Sequence, residues 1–185
     1  MNYAFFSETE QPTYPVCLLV PVIRKDEIKR AYLEDSSLDP NDVLVISLHY
    51  SEGKKKTSMA EMRQYITEEL APTLADMRVK YVLCADGEYF KALTKASKIE
   101  ANLGYVMDSP FGNFKVIYIP NFAQIFYDPE KTKSKITQGM QALTDHMSGN
   151  YIPPGDSVIK FAAYPNTDQE IEEWLVKLLE NHKML

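Results

Sequence analysis

Three polar residues follow apolar runs where an α/β protein would place its chemistry: His49 after Asp42–Leu48, Asp86 after Val79–Ala85 and Asn121 after Phe114–Ile119. His49 carries ring nitrogens that can take or give a proton near neutral pH. Asp86 offers a carboxylate for general-base work, and Asn121 an amide able to read the edge of a base. Each also has a plainer use. A lone His at a strand end is commonly structural, an Asp before Gly87 suits a helix cap, and Pro120-Asn121 makes an ordinary turn.

Two groups of cations could meet phosphates: Lys54, Lys55 and Lys56 just past Gly53, and Lys131, Lys133 and Lys135 near the start of a helical stretch. A solvated face is the ordinary reading of such short basic runs. The aromatic pairs Phe126-Tyr127 and Tyr89-Phe90 could stack on bases, although both read better as core. Other chemistry lacks parts. The seven glycines form no phosphate-binding or dinucleotide fingerprint, no Gly-x-Ser-x-Gly elbow occurs, and two cysteines with three scattered histidines (His49, His146, His182) have no metal-ligand spacing. No metal and no cofactor is therefore expected.

The elements that must position these residues alternate short apolar runs with amphipathic stretches, the pattern of buried parallel strands joined by crossover helices. Strands are expected over Val16–Val22, Asp42–Leu48, Val79–Ala85 and Phe114–Ile119. Helices are expected over Asp26–Glu34, from the capping box Ser58-Met59-Ala60-Glu61 onward with Met59, Met62, Ile66 and Leu70 as its stripe, and over Glu88–Leu93. The clearest helix follows Asp128-Pro129, with Ile136, Met140, Leu143 and Met147 on one face. The fold class is thus a three-layer α/β/α domain with a mainly parallel central sheet, whose ligands belong outside the carboxyl ends of its strands.

Ser148 to Asp156 holds three turn signals, so the domain should run over 1–147, with a linker over 148–157 and a tail over 158–185. The tail reads as a strand, Val158–Ala162, and a helix, Thr167–Glu180, capped by Thr167-Asp168-Gln169-Glu170. Ile171, Trp174, Leu175 and Leu178 line one face of that helix, more apolar surface than one strand can cover, so the tail should either pack on the main domain or begin a second one, with this face as the candidate interface to another domain or a second copy.

With 185 residues, 45% hydrophobic and 25% charged, the chain has ordinary globular composition, which excludes wholesale disorder. Twenty basic against 26 acidic residues leave −6, so indiscriminate nucleic-acid binding through net charge is not expected, while a local basic patch remains possible. Cys17 and Cys84 sit inside apolar runs, as buried free thiols of a reducing cytoplasm do. No window reaches the length of a membrane span and the amino end does not resemble a signal peptide, so a cytoplasmic protein is expected.

The order of segments carries a resemblance. Lys80-Tyr81-Val82-Leu83-Cys84-Ala85-Asp86-Gly87-Glu88-Tyr89-Phe90-Lys91-Ala92-Leu93-Thr94, then Leu103-Gly104-Tyr105-Val106, then Val116–Tyr127 before Asp128-Pro129 resembles the N-terminal region of bacteriophage DNA polymerases of the polymerase I type. Ala31-Tyr32-Leu33 and Ile159–Pro165 fit the same proteins, so the resemblance spans about residues 15 to 185. It implies a uracil-DNA glycosylase-like fold. It also implies DNA, the remaining polymerase and exonuclease domains or subunit, and a second copy of the chain as candidate partners, in the host cytoplasm. In those polymerases the segment after the linker leads into the first acidic motif of the exonuclease, which this chain does not reach, so a fragment or a separately encoded piece is expected.

Active glycosylases of that fold carry a water-activating acid in a Gly- and Pro-containing loop and a His-Pro-Ser-like loop. The corresponding stretches here, Ser47–Gly53 and Ile119–Ala123, match poorly. The expectation is the fold without its chemistry: a noncatalytic module of a replicative polymerase that positions DNA or partner proteins. One rival is a working uracil-DNA glycosylase, which requires His49, Asp86 and Asn121 to converge on one base-sized pocket. Another is a flavodoxin-like small-molecule binding protein.

Overall fold

The computed structural model describes residues 1–51, 57–99, 102–156 and 167–181, with side chains on the last segment to residue 176. It forms two units, Met1–Pro154 and Gly155–Leu185. The division falls inside the stretch expected as linker.

The first unit is a mixed α/β domain on a six-stranded sheet. Its strands are β1 (Tyr3–Phe5), β2 (Val16–Val20), β3 (Val43–Ser47), β4 (Tyr81–Cys84), β5 (Met107–Asp108) and β6 (Lys115–Tyr118), in the spatial order β1-β3-β2-β4-β6-β5. The middle four are parallel, with Val16 opposite both Val43 and Tyr81, and Tyr81 opposite Lys115. The short edge strands β1 and β5 run antiparallel. Neither edge strand is anticipated from the sequence, because three and two residues are too few to show a period.

Successive side chains of a strand point to opposite faces, and here both faces are covered. Cys17, Leu19, Leu44, Ile46, Val82, Cys84 and Val116 pack on one side against α2 (Met59–Tyr65), its continuation through a wide turn (Ile66–Leu70) into α3 (Ala71–Asp76), and α4 (Gly87–Thr94). Val16, Leu18, Val20, Val43, Val45, Leu83 and Ile117 pack on the other against α1 (Lys25–Ile28), its wide-turn extension (Lys29–Leu33), and α5 (Pro129–Ser148). That double burial explains why the strands read as continuous apolar runs. The wide turns are π-helical, a geometry often found beside functional sites.

Local chemistry starts and stops the helices. Ser58 and Glu61 form the reciprocal capping box of α2, at 3.2 and 2.9 Å. Asp128 accepts from the Lys131 amide at 3.3 Å, Pro129 opens α5, and Gly149 ends it at φ +77°, where a Cβ would be strained. Ile136, Met140 and Leu143 are buried as expected, whereas Met147, the next-to-last residue of α5, is exposed. Gly139 lets α5 lie close to β6, because a Cβ there would stand 2.6 Å from a methyl of Ile119 and 2.9 Å from the carbonyl of Tyr118.

In the second unit, α6 (Asp168–Asn181) occupies the stretch expected as helix, with Thr167 and Glu170 exchanging capping bonds at 3.3 and 3.2 Å. Ile171, Trp174 and Leu175 are exposed. The expected strand Val158–Ala162 and the side chain of Leu178 lie outside the described residues. Among the described residues, no helix is long and apolar enough to cross a membrane.

Candidate functional site

In chain order the four parallel strands are arranged second, first, third, fourth, so the crossovers leave β2 and β4 on opposite faces. A doubly wound sheet places its ligand crevice at such a switch point, outside the carboxyl ends of the strands. His49, Asp86 and Asn121 all follow strands at that edge, β3, β4 and β6 respectively. Their side chains, however, are differently employed.

Asp86 caps α4. Its Oδ1 accepts from the amides of Glu88 and Tyr89, both at 2.9 Å, and its Oδ2 accepts from the hydroxyl of Tyr50 at 2.8 Å. Asn121 caps the short 3-10 turn Phe122–Phe126 by accepting from the Ala123 amide at 3.0 Å. His49 is exposed, its ring stacked on Tyr65 at 5.5 Å between centroids, and its carbonyl accepts from the hydroxyl of Tyr89. Tyr50 and Tyr65 each meet Tyr89 edge-on, at 5.8 and 6.2 Å. The loop after β3 is thereby tied to the amino end of α4, and the Tyr50–Asp86 bond reaches from the end of β3 to the end of β4, two strands separated by β2. Burial raises the Tyr50 phenol above its ordinary range and the Asp86 carboxylate raises it further. Tyr50 is therefore a hydrogen-bond donor at neutral pH, not a nucleophile.

A polar crevice of about 380 Å³ opens beside His49, lined also by Pro21, Ser47, Tyr50, Tyr65 and Glu69. Burial first, then the Glu69 carboxylate, pushes Tyr65 up to about 12. Neither Asp86 nor Asn121 lines this crevice, so the three candidates are neighbours along an edge without sharing a pocket. Cys17 and Cys84 are buried free thiols, both raised chiefly by burial, and are not poised as nucleophiles. Among the described residues, no group of three His, Cys, Asp or Glu side chains could hold a metal ion.

Lys54, Lys55 and Lys56 lie outside the described residues. Lys131, Lys133 and Lys135 occupy the first turns of α5. At 3.6 residues per turn, Lys131 and Lys135 share a side of the helix while Lys133 points about 200° away. The three do not make one patch. Lys133 instead lines a groove of about 660 Å³ between the α1 extension and α5, which sequence reasoning missed.

The aromatic pairs divide. Tyr89 and Phe90 are fully buried, as expected of core, but Phe126 is 80% and Tyr127 90% exposed, against expectation. The reason lies in Phe122–Phe126. This turn buries only Phe122, held by the hydroxyl of Tyr32, which accepts from the Phe122 amide at 2.7 Å and donates to the Pro120 carbonyl at 2.8 Å. The chain then turns outward into the Asp128 cap. An apolar run of Ile125-Phe126-Tyr127 carries no sequence signal that separates this arrangement from a core segment. No family model matches the chain, and no curated protein matches it.

Proposed function

We propose that the chain is a noncatalytic module of a phage-type replicative DNA polymerase, built on a uracil-DNA glycosylase-like fold, which positions DNA or the adjoining polymerase and exonuclease parts. The observation that carries the noncatalytic half is the employment of Asp86 and Asn121 as helix caps, outside the crevice that His49 lines. Breaking the bond between a base and its sugar requires a polarised water and a donor on the leaving base, aimed at one flipped nucleotide. Asp86 already accepts three of the roughly four hydrogen bonds a carboxylate can take, two of them as the cap of α4.

The DNA half rests on the resemblance of Lys80–Thr94 and Val116–Tyr127 to the polymerase region and on two groups of lysines in the sequence, Lys54 to Lys56 and Lys131, Lys133 and Lys135. Ile171, Trp174 and Leu175 on α6 suit contact with a neighbouring domain or a second copy. The test is equilibrium binding of the chain to labelled single-stranded, duplex and primer–template DNA between 50 and 200 mM salt. Binding that weakens steeply with salt is the expected result. Failure to bind any form at 50 mM would overturn the DNA half.

A flavodoxin-like ligand-binding protein is the second reading, favoured by the strand order, which that class shares. Against it stands the Tyr50–Asp86 bond across the switch point, where such a ligand would enter.

A further inference from the structure

The groove between the α1 extension and α5 combines features that neither the caps nor the sheet edge uses. Its floor is apolar, with Phe122, Ile125, Ile136 and Met140. Phe126 stands on its rim and Tyr127 is next to it in the chain, the two most exposed large apolar side chains described. Arg30 and Lys133 also line it, both exposed, and among the described residues no ion pair holds either. The π turn Lys29–Leu33 carries Arg30, so the widened helix itself forms one wall.

An aromatic face left in water beside two unpaired cations suits a flat, uncharged ring attached to a phosphate. We infer that this groove takes two successive nucleotides of single-stranded nucleic acid, with one base stacked on Phe126, the next on Tyr127, and their phosphates held by Arg30 and Lys133. The inference rests on the reading that the chain engages DNA, and adds where and in what form. A duplex is excluded for two reasons. Its bases are already stacked on each other and present no free face, and the same rim carries Glu34 and Asp35, whose carboxylates repel a second line of phosphates. Glu27, the remaining acid of the rim, is paired with Arg24 at 3.1 Å. The volume, about 660 Å³, is that of a small-molecule site. The amino end of α5 takes no part, since Asp128 caps it.

The test is fluorescence anisotropy of the whole chain with a labelled oligothymidylate and a duplex of equal length, from 50 to 200 mM salt, for wild type, F126A/Y127A and R30A/K133A. Wild type should prefer the single strand. F126A/Y127A should weaken binding by about tenfold or more while leaving the salt slope unchanged, because stacking releases no counterions. R30A/K133A should reduce the slope by about 1.4, two phosphates at 0.7 each. All four side chains reach solvent, so the variants should keep the wild-type melting temperature, which is measured alongside. Single-strand binding indifferent to both variants, or a preference for duplex, would overturn the groove as the seat and leave the wider DNA reading standing. No binding of any DNA would remove both. Dimerisation of wild type in sedimentation, lost in F126A/Y127A, would assign the aromatics to a protein contact and overturn the inference.

Discussion

Asp86 shows how one side chain can serve two elements at once. It satisfies two amides of the first turn of α4, and through Tyr50 it fastens the loop after β3. Replacing it by Ala removes a cap, worth about 1 kcal/mol, and takes the charged acceptor from the exposed Tyr50 hydroxyl, a loss of about 0.5–1 kcal/mol. Asp86→Ala should therefore lower stability by about 1.5–2 kcal/mol in urea unfolding, the sum of those two terms. Tyr50→Phe should cost about 1 kcal/mol or less, since it removes only the second term and leaves the cap intact. Equal losses in the two variants would mean that the cap contributes nothing. The double use of Asp86 was half legible. Asp before Gly at the end of an apolar run announces a cap, while a tyrosine 36 positions earlier as its second donor has no local signal.

At the scale of elements, Gly139 lets α5 pack closely against the end of β6. Gly139→Ala should destabilise by about 1–3 kcal/mol, because the added methyl meets a backbone carbonyl that cannot turn aside. Helix propensity alone would predict a gain of about 1 kcal/mol, so a stabilised variant would contradict the packing described here. A lone glycine inside a strong helical pattern is the kind of signal that could have pointed to the close approach. The helices were otherwise readable because their caps are written in adjacent residues: Ser58 with Glu61, Asp128 with Pro129, Thr167 with Glu170. The strands β1 and β5 were not, since three and two residues are too few to show a period. On α6, Trp174 is the only tryptophan of the chain, and at 47% exposure its emission should be readily quenched by acrylamide. Full shielding in a monomer would remove the α6 face as an interface.

Across the first unit, four tyrosines are held in their neutral form beyond the ordinary range. Tyr32, Tyr50, Tyr65 and Tyr89 are all raised, burial being the leading cause each time, with Tyr65 at about 12. In the unfolded chain they ionise near 10. The unfolded state thus loses its protons first as pH rises, so the stability these groups contribute is complete below pH 10 and falls as pH climbs from 10 toward their folded values. Cys17 and Cys84, raised from 9.0, act in the same direction from about pH 9. The urea midpoint should be lower at pH 11 than at pH 8. An unchanged midpoint would show that these groups are hydrated in the folded chain. The architecture that buries them, four parallel strands covered on both faces, followed directly from apolar runs separated by amphipathic stretches. The division of labour at the strand ends did not, because three polar residues after three strands look alike until their partners are known. The noncatalytic reading is tested most directly by incubating the whole chain with uracil-containing single- and double-stranded DNA and measuring free uracil. No release above background is predicted, for wild type and for His49→Ala and Asn121→Ala alike. Turnover by wild type that disappears in either variant would contradict the account.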